Sequence, residues 1–125
     1  MKTLTVVELE FMRKLWVLGE ATPEELKRSF KEEGRILVGG TIRKMLGILM
    51  EKGFVARKKK GRTYLYHSAV SAEKTKTGLI KDVLIRVYDG SISHMFAAFL
   101  DSEKINGEEL EKIAILIEKH RKESD

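Results

Sequence analysis

The 125-residue chain has no cysteine and a single proline. Without thiols it can build no disulfide scaffold, no zinc ribbon and no thiolate copper site. Long hydrophobic runs are missing as well. The longest stretch free of Asp, Glu, Lys and Arg is Gly90 to Leu100, well short of the ~20 residues a membrane-spanning helix needs. Glu8 and Glu10 fall where a secretory signal would keep its apolar core, so a cytoplasmic location and no membrane partner are expected. Hydrophobic residues, at 42% against 34% charged, suffice for a packed core and argue against wholesale disorder. The length fits one compact domain, or a small domain joined to an oligomerisation element.

The formal net charge of +5 favours polyanionic partners without naming one. Its placement says more. Residues 34–67 hold nine basic side chains (Arg35, Arg43, Lys44, Lys52, Arg57, Lys58, Lys59, Lys60 and Arg62) and one acid, Glu51. Acidic residues outnumber basic ones in both flanking segments, by seven to six before and by eleven to nine after. A solvated surface spreads its lysines, whereas a block of this kind is an electrostatic footprint.

Thr5-Val6-Val7-Glu8 has the form of a capping box, and Leu9, Met12 and Trp16 follow at helical spacing, with Val6, Leu15 and Leu18 widening the stripe. Gly19 ends that helix. Thr22-Pro23-Glu24-Glu25 opens a second one, with Leu26 and Phe30 on its apolar face and Gly34 as its stop. A third is expected from about Gly40 to Lys52, burying Ile42, Met45, Leu46, Leu49 and Met50, with Gly53 in a left-handed position after it. The period then changes to two. Phe54–Lys58 and Arg62–Tyr66 read as strands around a Lys59-Lys60-Gly61 turn. Three helices and a basic-tipped hairpin form the winged-helix order.

From Ser71 the pattern is helical. Ser71 caps a helix carrying Leu79, Ile80, Val83, Leu84 and Val87. Gly90-Ser91 restarts the chain into a short helix with Ile92, Met95, Phe96, Phe99 and Leu100. Asn106-Gly107-Glu108-Glu109 is a further capping box before Leu110, Ile113, Ala114 and Ile117. So short a segment closes no core alone, so pairing with a second copy through Leu84, Phe96, Phe99, Leu100, Ile113 and Ile117 is expected. The fold class is mainly α with a small β-hairpin wing: a winged helix-turn-helix DNA-binding domain over residues 1–70 and a helical dimerisation domain over residues 71–125.

On the third helix Gly40, Thr41, Arg43, Lys44 and Gly47 are outward or N-terminal positions, and the major groove of B-DNA admits such a helix. Arg43 and Thr41 suit base edges, while Lys58, Lys59, Lys60 and Arg62 on the hairpin suit phosphates, which demand charge more than geometry. Tyr64 and Tyr66 read first as strand packing. His67, His94 and His120 lack metal-ligand spacing, so no metal or cofactor is expected. Ser91, Ser93 and His94 are neighbours in sequence without a strained nucleophile turn, and Gly39-Gly40 is no phosphate loop. No catalytic residue is identified, and an enzyme is not expected.

Several segments in order carry a resemblance: Leu4–Met12 with Leu15-Trp16, Gly39–Leu46, Lys52-Gly53, Gly61–Tyr66, Val70-Ser71, and Asp89–Ser93 followed by Ala97–Leu100. With them the chain, from about Leu4 to Lys119, resembles the penicillinase-repressor (BlaI/MecI/CopY) family of winged-helix transcription regulators. The resemblance implies a homodimeric repressor on a palindromic operator, with the third helix in the major groove and the C-terminal helices forming the dimer. By match, Thr41, Arg43 and Lys44 take base-facing and phosphate roles, and Arg62 and Tyr64 belong to the wing.

Three departures limit what carries over. Ala98-Phe99 stands where resistance members have the Asn-Phe bond cut in response to a membrane sensor protease, so that partner is in doubt. Val38-Gly39 replaces the usual Ser-Pro before the third helix, so its cap should be absent. The copper-responsive members' Cys cluster has no counterpart. Two other readings stay open: a winged-helix module docking an acidic protein, and a DNA-binding regulator released by a small ligand. The operator sequence, the regulated genes and the inducing signal are not legible in the chain.

Overall fold

Two threonine hydroxyls start the first two helices. In the computed structural model, which describes residues 3–102 and 104–124, α1 spans Val6–Leu18 and α2 spans Pro23–Glu32. Thr5 Oγ1 accepts the Glu8 amide at 3.2 Å and Glu8 Oε1 accepts the Thr5 amide at 2.8 Å. Thr22 and Glu25 repeat the exchange at 3.2 and 3.0 Å, and Pro23 sits where its missing N–H leaves nothing unsatisfied. Gly19, at φ 83°, ends α1.

The buried face of α1 is rotated from the expected stripe. Glu8, Phe11, Met12 and Leu15 are buried, while Val6 and Leu18 are exposed. The i, i+3, i+4, i+7 set that starts at Glu8 wins because Phe11 stacks against Phe30 of α2, ring centroids 4.8 Å apart. Phe11, Met12, Leu15, Leu26, Phe30, Ile42, Leu46 and Leu49 are completely enclosed, each side chain contributing about 1.5–3 kcal/mol by leaving water.

Helix α3 runs Gly39–Glu51, a residue earlier than expected, and Gly53 follows at φ 86°. The hairpin strands β2 and β3 are Val55–Lys60 and Thr63–Ser68. They reach further than expected, so Lys59 and Lys60 are strand residues and the turn is Gly61-Arg62. Lys60 pairs with Thr63 across it. Gly61 at φ 61° followed by a residue at negative φ is the sign pattern of a type II′ turn, which follows the natural strand twist. A third strand, β1 (here Glu20–Ala21), pairs antiparallel with β3 and puts β3 in the centre. At two residues it is too short for any alternation to betray it. Trp16 Nε1 donates to Ser68 Oγ at 3.0 Å and fixes the end of β3 to α1.

Two compact units divide the described residues, the boundary falling between Thr77 and Gly78. The first contains everything above and the start of α4 (Ala72–Tyr88), whose Ser71 cap accepts the Lys74 amide at 3.2 Å. The second contains the rest of α4, α5 (Ile92–Ser102) and α6 (Gly107–Ser124). Asp89 and Gly90, both left-handed, terminate α4, and the Gly90 amide returns to the Leu84 carbonyl at 2.9 Å. At α6 the expected capping box is half made. Asn106 Oδ1 accepts the Glu109 amide at 2.8 Å, while the Glu109 carboxylate lies by Lys112 at 3.5 Å. No single helix among the described residues is long and apolar enough to cross a membrane.

Candidate nucleic-acid interface

Helix α3 is anchored on one side and bare on the other. Ile42, Leu46 and Leu49 point into the core, and Gly40, Thr41, Arg43, Lys44 and Gly47 all lie on the exposed side. Its first turn has no side-chain cap: Val38 offers only its carbonyl, taken by the Ile42 amide at 3.2 Å. The amides that begin the helix are therefore left for another acceptor. Arg43 folds back over this end; a Cβ at Gly39 would sit 3.2 Å from its Nη1. At Gly40 and Gly47 an added Cβ would meet nothing within 4 Å, so both leave open surface.

Of the nine cations in residues 34–67, three are paired with carboxylates of the same chain. Arg35 is paired with Glu10 and lies over the Phe30 ring. Lys52 reaches both Glu8 carboxylate oxygens, at 2.7 and 2.9 Å. Lys58 meets Glu20 at 3.1 Å. The other six (Arg43, Lys44, Arg57, Lys59, Lys60 and Arg62) form no ion pair among the described residues. They lie on the outer side of α3 and on the hairpin, so the structure concentrates the positive charge rather than dispersing it.

The Glu8–Lys52 pair links the start of α1 to the end of α3. Burial works to raise the Glu8 carboxyl, but hydrogen bonds from Lys52 and from the Thr5 amide outweigh it and hold the group below its ordinary value. The residue that caps α1 therefore also holds the end of α3.

On the hairpin, cross-strand pairing brings Arg57 opposite Tyr66 and Lys59 opposite Tyr64. Arg57 stacks on the Tyr64 ring at 4.0 Å and donates from Nη1 to the Tyr66 hydroxyl at 3.2 Å. Tyr66 is buried and Tyr64 half-buried, so both are packing residues. Arg57 is absent from the expected site set. Strand alternation carried forward from Phe54 to Lys60 would have grouped it with Lys59.

In the second unit Phe96, Phe99, Leu100 and Ile117 are exposed, and Leu84 and Ile113 half-buried. No residue of α5 or α6 is fully buried. Ser91 and His94 come together for a structural reason: Ser91 Oγ accepts the His94 amide at 3.2 Å as the cap of α5. No group of three or more His, Asp or Glu converges among the described residues. A half-open cleft of about 380 Å³ lies between α1 and α2, with Trp16 and Lys76 at its side. There Lys14 Nζ is already held by Ser29 at 3.0 Å and Glu33 at 2.8 Å.

The penicillinase repressor family model matches residues 4–119. The methicillin resistance regulatory protein MecI of Staphylococcus aureus (strain Mu50) is 25% identical over 116 residues, covering 93% of this chain and 94% of its own. The penicillinase repressor of Bacillus licheniformis is 25% identical over 114 residues, covering 91% and 88%. Among solved structures, a MarR mutant from E. coli complexed with operator DNA superposes with a TM-score of 0.54 at 17% identity, over 93% of this chain and 74% of that one. The hsRosR-SG complex does so with 0.55 at 15%, over 96% and 94%. These two share the winged-helix fold. With three helices and a three-stranded sheet in its first unit and a family match across nearly its whole length, the chain belongs to the penicillinase repressor family and is a transcriptional regulator.

Proposed function

We propose that this chain is a homodimeric repressor that binds a two-fold symmetric operator in duplex DNA, with α3 in the major groove and the hairpin wing along the backbone. One observation carries the reading: the six unpaired cations of residues 34–67 lie on the outer side of α3 and on the wing. Thr41 and Arg43 read base edges, Lys44 takes phosphate beside the uncapped start of α3, and Gly40 and Gly47 permit close approach. In this reading the chain works where its operator is, in the cytoplasm. The second copy pairs through the apolar residues of the second unit, Leu84, Phe96, Phe99, Leu100, Ile113 and Ile117, which a single copy leaves largely open.

Binding to duplex DNA across a salt series tests the reading. Affinity should fall linearly on logarithmic axes with a slope near −0.9 per phosphate neutralised, and a two-fold symmetric site should bind more tightly than its half. Absence of salt-dependent binding to any duplex would leave the basic surface without this role.

A further inference from the structure

We infer that the wing meets the DNA backbone with one strand face only: Arg57 and Lys59, framed by Tyr64, take the phosphates, while Lys58 and Lys60 lie on the opposite face, where Glu20 holds Lys58. The inference rests on the DNA-binding reading and divides a run of four cations that sequence alone treats as one. Along β2 successive side chains alternate in direction. The register puts Arg57 and Lys59 on the face of Tyr66 and Tyr64, and Lys58 and Lys60 on the face of Leu65 and Thr63.

The two faces have opposite electrostatic surroundings. Lys58 is 3.1 Å from Glu20, the residue that begins β1. On that same face Lys60 acts on Glu25, whose carboxyl is held low first by the Thr22 amide and hydroxyl and then by the Lys60 and Arg28 charges. A phosphate approaching there meets Glu20, which already holds Lys58, and the nearby Glu25 charge beside the unpaired Lys60. On the other face the nearest partners are aromatic: Arg57 lies 4.0 Å from the Tyr64 centroid and Lys59 5.9 Å. The Tyr66 hydroxyl takes one guanidinium N–H and stacking holds the plane of the fork, so the remaining donors are pre-oriented for a phosphate.

The test compares two full-length double variants that lose equal formal charge, Arg57→Gln/Lys59→Gln and Lys58→Gln/Lys60→Gln, on random-sequence duplex DNA across salt. The first pair should flatten the logarithmic slope by up to about 1.8, two phosphates' worth. The second should flatten it by less than half as much. Because Arg57 packs on two tyrosines, Lys59→Gln alone is a third arm: it should cost more slope than Lys60→Gln, with both melting like the unaltered protein. Equal losses from the two faces, or a larger loss from Lys58 and Lys60, overturn the inference and leave the DNA reading standing. Failure of the unaltered chain to bind duplex DNA overturns both.

Discussion

Arg43 and Gly39 form a unit that helix propensity alone would forbid. Glycine in the first turn weakens a helix, yet here its missing side chain leaves room for the guanidinium that returns over it. Gly39→Ala should raise the melting free energy by at most about 1 kcal/mol, since the exposed end of Arg43 can shift by the few tenths of an ångström needed. It should at the same time loosen discrimination between operator and random DNA. Removing the group itself is the sharper experiment. Arg43→Ala should relax preference for one base pair by roughly 1–3 kcal/mol, measured as the ratio of operator to random-sequence affinity. An equal loss on both DNAs would assign Arg43 to phosphate instead.

Among elements, α3 is seated by Ile42, Leu46 and Leu49 and tied to the start of α1 by an ion pair at its far end. Glu8 is buried and accepts both the Thr5 amide and the Lys52 ammonium. Its carboxyl is depressed in the folded chain, so the stabilisation is fully present above the ordinary carboxylate range and is lost as pH falls through the lower folded value. Glu8→Gln should cost about 2 kcal/mol at neutral pH, less than a wholly buried pair would because Lys52 keeps some solvent. The gap between variant and unaltered protein in thermal melts should narrow as the pH falls through the ordinary carboxylate range and close below the lower folded value. A gap independent of pH would show that the pair contributes through shape alone. The two ends of this contact differ in legibility: Thr5-Val6-Val7-Glu8 announces a cap, because capping is local. Nothing local couples Glu8 to Lys52, 44 positions away. The same limit hid β1, which exists because β3 offers it an edge, and the true hairpin turn, because a run of lysines carries no alternation of its own.

For the whole molecule, the helices and their order were legible, since caps and 3.6-residue spacing are written within each segment. The outward set on α3 was legible for the same reason. The wing was legible as charge but not as two faces, which depend on a register that only the folded pairing defines. The second unit poses the remaining question of assembly. Phe99, about half exposed at 53%, lies on a helix with no buried residue. Phe99→Asp should drive the proposed dimer toward the 14.3 kDa monomer, because a carboxylate in an apolar contact is costly without a partner. Operator affinity should fall with it, as each copy loses its tether to the other. Sedimentation of the unaltered protein at micromolar concentration as a monomer would remove the dimer and, with it, the two-fold operator.

The position of β2 in the sheet has a consequence for solubility. With strand order β1-β3-β2, β2 is an open edge, and an open edge is a template on which a foreign strand can add. Four consecutive cations from Arg57 to Lys60 line that edge, and two such edges brought together would repel. The same charges therefore discourage copies of the chain from joining strand to strand into aggregates. Uncharged wings should be less soluble as well as weaker on DNA, and more so as ionic strength falls and the repulsion between unaltered copies reaches further.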